Sequence, residues 1–184
     1  FVQASQLSLN GSGIATFSDR ARDFVRGGGP FDGGQSLVRN QGYINGLFYD
    51  DNGSGAGTSK TDLMWAADII KVGLAGSIRD YTLTTHWDAS LQLQQLDYNG
   101  QPAGYVTSPA EVVNYVENHD NQTLYDLNAF KLPTATRADD RARVQVLGLA
   151  TTAFSQGIAY FHAGSELLRS KSMDRNSFDS GDWF

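Results

Sequence analysis

Apolar residues fall into short groups whose spacing alternates between two periods. Gly13 to Phe17 reads as a brief buried strand, and a helix begins at Ser18, whose hydroxyl is placed to cap the turn Asp19 to Arg22; Gly27 stops it. From Gly27 to Ser59 the chain turns to Gly, Asn, Asp and Ser, including GGGPFDGG and DDNGSGAG, so a long irregular excursion is expected. Helical spacing returns over Thr61 to Ile78, with Leu63, Ala66, Ala67, Ile70 and Leu74 on one face. YTLTT and LQLQQL flank WDAS as a hairpin over Tyr81 to Leu96. Asn99-Gly100 and Pro102 open another loop, which ends at the helix-like start SPAEV. Val112 to Val116 is a β-branched strand that runs into the polar cluster ENHDNQT. Arg141 to Phe154 is a second helix, with Val144, Leu147 and Ala150 or Thr151 inward, and after Gly157 the strand GIAYF meets another polar loop.

The order is strand, helix, strand, helix, strand, with a hairpin inserted. That pattern predicts an α/β fold with right-handed crossovers and a parallel sheet, whose ligands collect beyond the carboxyl ends of the strands. A closed eight-stranded barrel takes about 250 residues, or about 31 per strand-helix unit, so three units account for about half of this chain and cannot close. The rest is insertion. The last phrase, SGDWF, lies in a loop, and the chain is expected to be a piece cut at both ends.

Composition narrows the chemistry. With 184 residues, 40% apolar and 18% charged, one globular domain or at most two are expected. The absence of cysteine removes disulfides, thiolate nucleophiles and cysteine-ligated metals. A net charge of -6 disfavours nucleic acid and anionic membrane as partners. No apolar run approaches the roughly 18 residues of a membrane span, and FVQASQLSLN lacks the features of a signal peptide. Of the 20 acidic residues only Glu111, Glu117 and Glu166 are glutamates, so glutamate chemistry has few candidates.

Tyr115, Glu117, His119, Asp120 and Asn121 gather at the end of the Val112 strand. Carboxylate, imidazole and amide side chains there can hold sugar hydroxyls, which need donors and acceptors in fixed directions. Alternatively, Asp120 or Asn121 caps the next helix and His119 fills a turn. A metal is less well supported, because His86, His119 and His162 include no H-x-x-x-H pair. Ser18 to Asp23 alternates charge and reads as a solvated helix face with internal ion pairs, Asp19 being a secondary binding candidate. In the loop after the last strand, Glu166 reads as a structural carboxylate beside the Ala163-Gly164 turn. Trp65, Trp87 and Trp183 are expected to pack in the core, with sugar stacking as the alternative. GGGPFDGG lacks the ending of a phosphate loop.

VVNYVENHDNQTLYD, GIAYFHAGSELLRSKSMDRNSFDSGDWF and GIATFSDRARDFVRGGGPFD resemble stretches of the bacterial pullulanases and limit dextrinases, the starch-debranching branch of the α-amylase superfamily. The likeness runs through the whole chain, and GSELLRSKS separates this branch from the isoamylases. It implies that residues 1–184 are the C-terminal portion of a catalytic (β/α)8 barrel, roughly strands six to eight with a long Gly-rich loop and an inserted hairpin. It also implies retaining hydrolysis of α-1,6 branch linkages, with an α-glucan as partner and the nucleophilic Asp and acid/base Glu upstream. Neither of their motifs occurs here, so a non-catalytic glucan-binding piece is the alternative. By resemblance Asp120 is the third essential carboxylate, His119 binds the same sugar, and Asn121 and Asp19 contact neighbouring glucose units. Glu117-Asn118 departs from the Ser-Lys common in the family, and His162 sits where the branch varies. A calcium requirement and a secreted or periplasmic location are further implications, although no calcium site stands out.

Overall fold

The computed structural model describes residues 3–55 and 57–181; Trp183 lies outside them. Three short strands, β1 (Thr16–Phe17), β6 (Val112–Asn114) and β7 (Ile158–Ala159), form a parallel sheet in the order β1-β6-β7. Thr16 pairs with Val112 and Val113 with Ile158, so the chain leaves all three strands at the same edge of the sheet. The parallel α/β arrangement expected from the pattern is present, although the strands are shorter than the apolar runs that announced them.

Helix α1 (Asp19–Arg26) follows β1 directly and ends at Gly27, whose φ of 82° suits glycine. The Ser18 hydroxyl makes no cap; it is buried without a partner. The excursion that follows holds one short helix, α2 (Gln35–Arg39), and is otherwise irregular. Helix α3 (Lys60–Leu74) opens with a reciprocal cap: the Ser59 hydroxyl accepts from Asp62 N at 3.2 Å while Asp62 accepts from Ser59 N at 2.6 Å. It closes before Ile78 because Gly76 takes φ 72°, letting Ser77 N donate to Val72 O and Gly76 N to Gly73 O. The buried face is Ala66, Ile69, Ile70, Val72 and Gly73 rather than the stripe ending at Leu74, because α3 packs on two sides. On one side Ile69 and Val72 meet Leu83, Leu93, Leu96 and Ala103; on the other Ile70 meets Val25, Ile44, Val116 and Leu124.

The expected hairpin is present as β2 (Thr82–Thr84) and β3 (Ser90–Gln92), with Leu83 opposite Leu91. Asn99-Gly100 does not open a loop but forms the tight turn of a second hairpin, β4 (Asp97–Tyr98) and β5 (Gln101–Pro102), both turn residues having positive φ. Two further helices close the structure, α4 (Leu124–Lys131), which the pattern did not announce, and α5 (Ala138–Ala153). In α5 the buried positions are Gln145, Gly148 and Thr152, while Leu147 is exposed. Gly148 decides this: a Cβ there would lie 2.8 Å from Leu124 and 3.0 Å from Ile44, so the glycine edge is what lets α5 approach its neighbours.

Candidate functional site

Every polar cluster singled out in the sequence sits beyond the same edge of the parallel sheet. Ser18 N donates to Val113 O and Tyr160 N to Asn114 O, which carries the ladder one residue past each strand and sets the start of the three site loops side by side. Asp19 leaves β1, Tyr115 to Asn121 leave β6, and Phe161 to Glu166 leave β7.

The charged turn of α1 is not a solvated face. Arg20, Arg22 and Arg26 are all buried. Arg20 lies over the ring of Tyr105 at 4.2 Å and that of Tyr98 at 4.9 Å. Arg22 pairs with Asp19 at 3.0 Å and with Asp23 at 2.8 Å, and also donates to the Tyr115 hydroxyl. That hydroxyl in turn donates to Asp19 at 3.0 Å, so Asp19 is tied to the end of β6. Burial and the facing carboxylate of Asp19 hold the Tyr115 pKa well above the ordinary phenol value, which keeps it a donor. Arg26 is brought down to about 10 by burial and by the neighbouring charge of Arg22. The sequence reading missed these burials because each depends on a tyrosine or carbonyl far away in the chain.

Glu117 points inward and is 2% exposed. Its carboxylate accepts from Leu124 N, from the Ser165 hydroxyl, and from His162 Nδ1 at 3.2 Å. Arg169 approaches His162 Nε2 at 3.3 Å and can only donate, so Nδ1 carries the proton given to Glu117. The family departure at this position therefore concerns the wall between two loops, with Glu117 turned away from the open side. Glu166 accepts from Gly164 N at 3.1 Å, in keeping with its structural reading.

Helix α4 begins without help from Asp120 or Asn121. Thr123 is the cap, its hydroxyl accepting from Asp126 N at 3.1 Å, and Glu117 takes the Leu124 N–H. His119 and Asp120 are exposed beyond the sheet edge, and the hydrogen bond to the Asp120 carboxylate comes from the adjacent Asn121 at 3.4 Å. Asn121 takes φ 59°, turning the chain back toward α4. The capping explanation of this cluster is thereby removed: among the described residues neither Asp120 nor Asn121 accepts from an N–H of the first turn of α4.

Trp65 and Trp87 stack on each other at 5.9 Å; Trp65 packs against the cluster around Ile69 and Val72, as expected, whereas Trp87 is 47% exposed. Trp65, Phe24, Asp23 and Tyr98 line a cavity of about 370 Å³ beside the Gly27–Gly29 turn. Among the described residues no group of three or more His, Asp or Glu side chains converges as a side-chain metal site would need. Nor is any described helix long and apolar enough to cross a membrane.

No protein-family profile matches the chain. Along its whole length it is 48% identical to a pullulanase of Klebsiella aerogenes and 42% identical to the chloroplastic pullulanase 1 of Arabidopsis thaliana, spanning 17% and 19% of them. Its structure superposes on a Klebsiella pneumoniae pullulanase complexed with maltotriose with a TM-score of 0.96 and 48% identity, covering all of this chain and 17% of that one. The chain thus spans under a fifth of the length of these relatives.

Proposed function

From the premise that this chain is homologous over its full length to one region of the pullulanases, we propose that it contributes the third carboxylate of a starch-debranching glycoside hydrolase. The longer protein cleaves α-1,6 linkages of pullulan or branched dextrins with retention, its nucleophilic Asp and acid/base Glu being supplied by upstream sequence. The three parallel strands are then strands six to eight of a (β/α)8 barrel, and their common exit edge is its active face.

Asp120 is the transition-state carboxylate and His119 its neighbour on the same sugar; Asn121 and Asp19 contact adjoining glucose units. A sugar ring moving toward an oxocarbenium ion flattens and gains positive charge. Hydrogen bonds to its hydroxyls that tighten as this happens lower the barrier rather than merely the binding constant. The observation that carries the reading is the division of labour along residues 117–123: Glu117 and Thr123 cap α4, which leaves Asp120 and His119 free to face a ligand. The maltotriose bound by the Klebsiella pneumoniae relative is the class of ligand expected here.

Asp120→Asn in the longer protein tests it. The amide is nearly isosteric and no cap depends on it, so unfolding should be unchanged while kcat on pullulan falls by about a hundredfold or more. Activity within a few-fold of wild type would remove Asp120 from the reaction.

A further inference from the structure

The turn from His119 to Gln122 carries the reactive groups yet is poorly anchored by its own residues. His119 and Asp120 are exposed, and Asn121 holds a left-handed conformation. Among the described residues, the hydrogen bond that reaches this turn from elsewhere in the chain comes from Lys171, whose ammonium donates to His119 O at 2.9 Å. We infer that Lys171 is a positioning residue for Asp120, acting through the peptide plane it grips; this rests on the reading of Asp120 given above.

The geometry explains how. His119 O and Asp120 N belong to one rigid amide, so fixing that carbonyl fixes the plane from which the Asp120 side chain departs. Lys171 is itself held at both ends. Its backbone N donates to Asp126 Oδ2 at 2.8 Å, the Ser170 hydroxyl donates to Asp126 Oδ1 at 2.5 Å, and its ammonium also donates to the Ser177 hydroxyl at 3.1 Å. Asp126 is fully buried in the first turn of α4. The path thus runs from α4 through Asp126 to Lys171 and back to the turn that precedes α4, closing a small rigid loop. Lys171 is 1% exposed, and a buried ammonium is costly unless its donors are used, which favours this one arrangement over others. Burial lowers its proton affinity, while the negative charges of Asp174 and Asp120 act in the opposite sense.

The test is kinetic, on pullulan, in the longer protein. Lys171→Met keeps the stem and deletes the donor; kcat is expected to fall about tenfold or more with KM within about twofold, because a misplacement near 1 Å costs the chemical step and not ground-state binding. Propylamine added to Lys171→Ala should restore kcat saturably, and propanol should not. If Lys171→Met does not fold, Lys171→Gln carries the same expectation, because its side chain ends one bond short of the position from which the ammonium reaches His119 O. A Met or Gln variant within twofold of wild-type kcat overturns the inference. So does a lost kcat that propylamine leaves untouched, since the lysine would then matter only to folding. Asp120→Asn measured alongside separates the two readings. If that variant is inactive while Lys171→Met is fully active, only the positioning role fails; if Asp120→Asn is itself active, the reading beneath it fails.

Discussion

Gly73 of α3 packs closely against Ala21 of α1, and replacing it by alanine tests how the site is supported. The backbone there is helical, so alanine alone would strengthen α3 by about 1 kcal/mol. The new methyl, however, would lie 2.4 Å from Ala21 Cβ, whereas carbon atoms in contact prefer about 3.5 to 4.0 Å. Neither methyl can rotate away, so α1 must withdraw by about 1 Å or more, at an overpacking cost of about 1 to 3 kcal/mol. A contact as short as 2.4 Å puts the cost in the upper part of that range, so cost and gain together give a net loss of about 1 to 2 kcal/mol, and the helix that moves is the one beginning at Asp19. Native-state hydrogen exchange in the longer protein reads this directly: α1 amides should exchange about 5 to 30 times faster in Gly73→Ala. The pair with Ala21→Gly should lose less than the two single changes combined. Unchanged or slower exchange of α1 in Gly73→Ala would refute the close-packing argument.

Two further outcomes are expected. Asp19→Ala should raise KM for longer branched oligosaccharides while leaving kcat nearly constant; unchanged kinetics would remove Asp19 from the binding site. Lys131, buried with its ammonium donating to Gly27 O and Asn40 O, has its pKa lowered by burial and by Arg26 to about 8. Between about pH 8 and 10 the folded chain has released this proton while the unfolded chain still holds it, so stability should rise with pH by about 2 to 3 kcal/mol. Above pH 10 the slope should reverse, because burial raises the pKa of Tyr98 and Tyr115 and their protonated forms are favoured only in the folded state. Urea midpoints from pH 7 to 11 measure this, and the rise should shrink by that amount in Lys131→Met.

The sequence was most informative where signals are local. The helical spacing of α3, the Leu83 to Leu91 hairpin and the stop at Gly27 all follow from residues within a few positions of each other. The placement of His119, Asp120 and Asn121 beyond a strand end was equally legible, because a short β-branched run followed by polar residues has few other meanings in an α/β chain. What stayed hidden depends on partners far along the chain. The burial of Arg20 and Arg22 is set by Tyr105, Tyr98 and Tyr115, and no spacing within Asp19 to Asp23 announces them. Periodicity failed on α5 for a related reason: it ranks leucine above glycine as a buried residue, whereas close approach to Leu124 and Ile44 needs the glycine. Asn99-Gly100 carries a hairpin signal that alternation does not confirm, because the two flanking strands are too short to show it.

The separation of Glu117 and Thr123 from Asp120 bears on how variants of this region come to light. The groups that start α4 are not the groups proposed to face the substrate, so on that proposal a change at position 120 should leave melting behaviour and cellular abundance alone while silencing the chemistry. Surveys that score only soluble yield or heat resistance would pass such proteins as healthy. Under the proposed function, genetic drift is filtered the same way: position 120 would answer to selection on activity alone, whereas position 117 answers first to the demand that the chain fold.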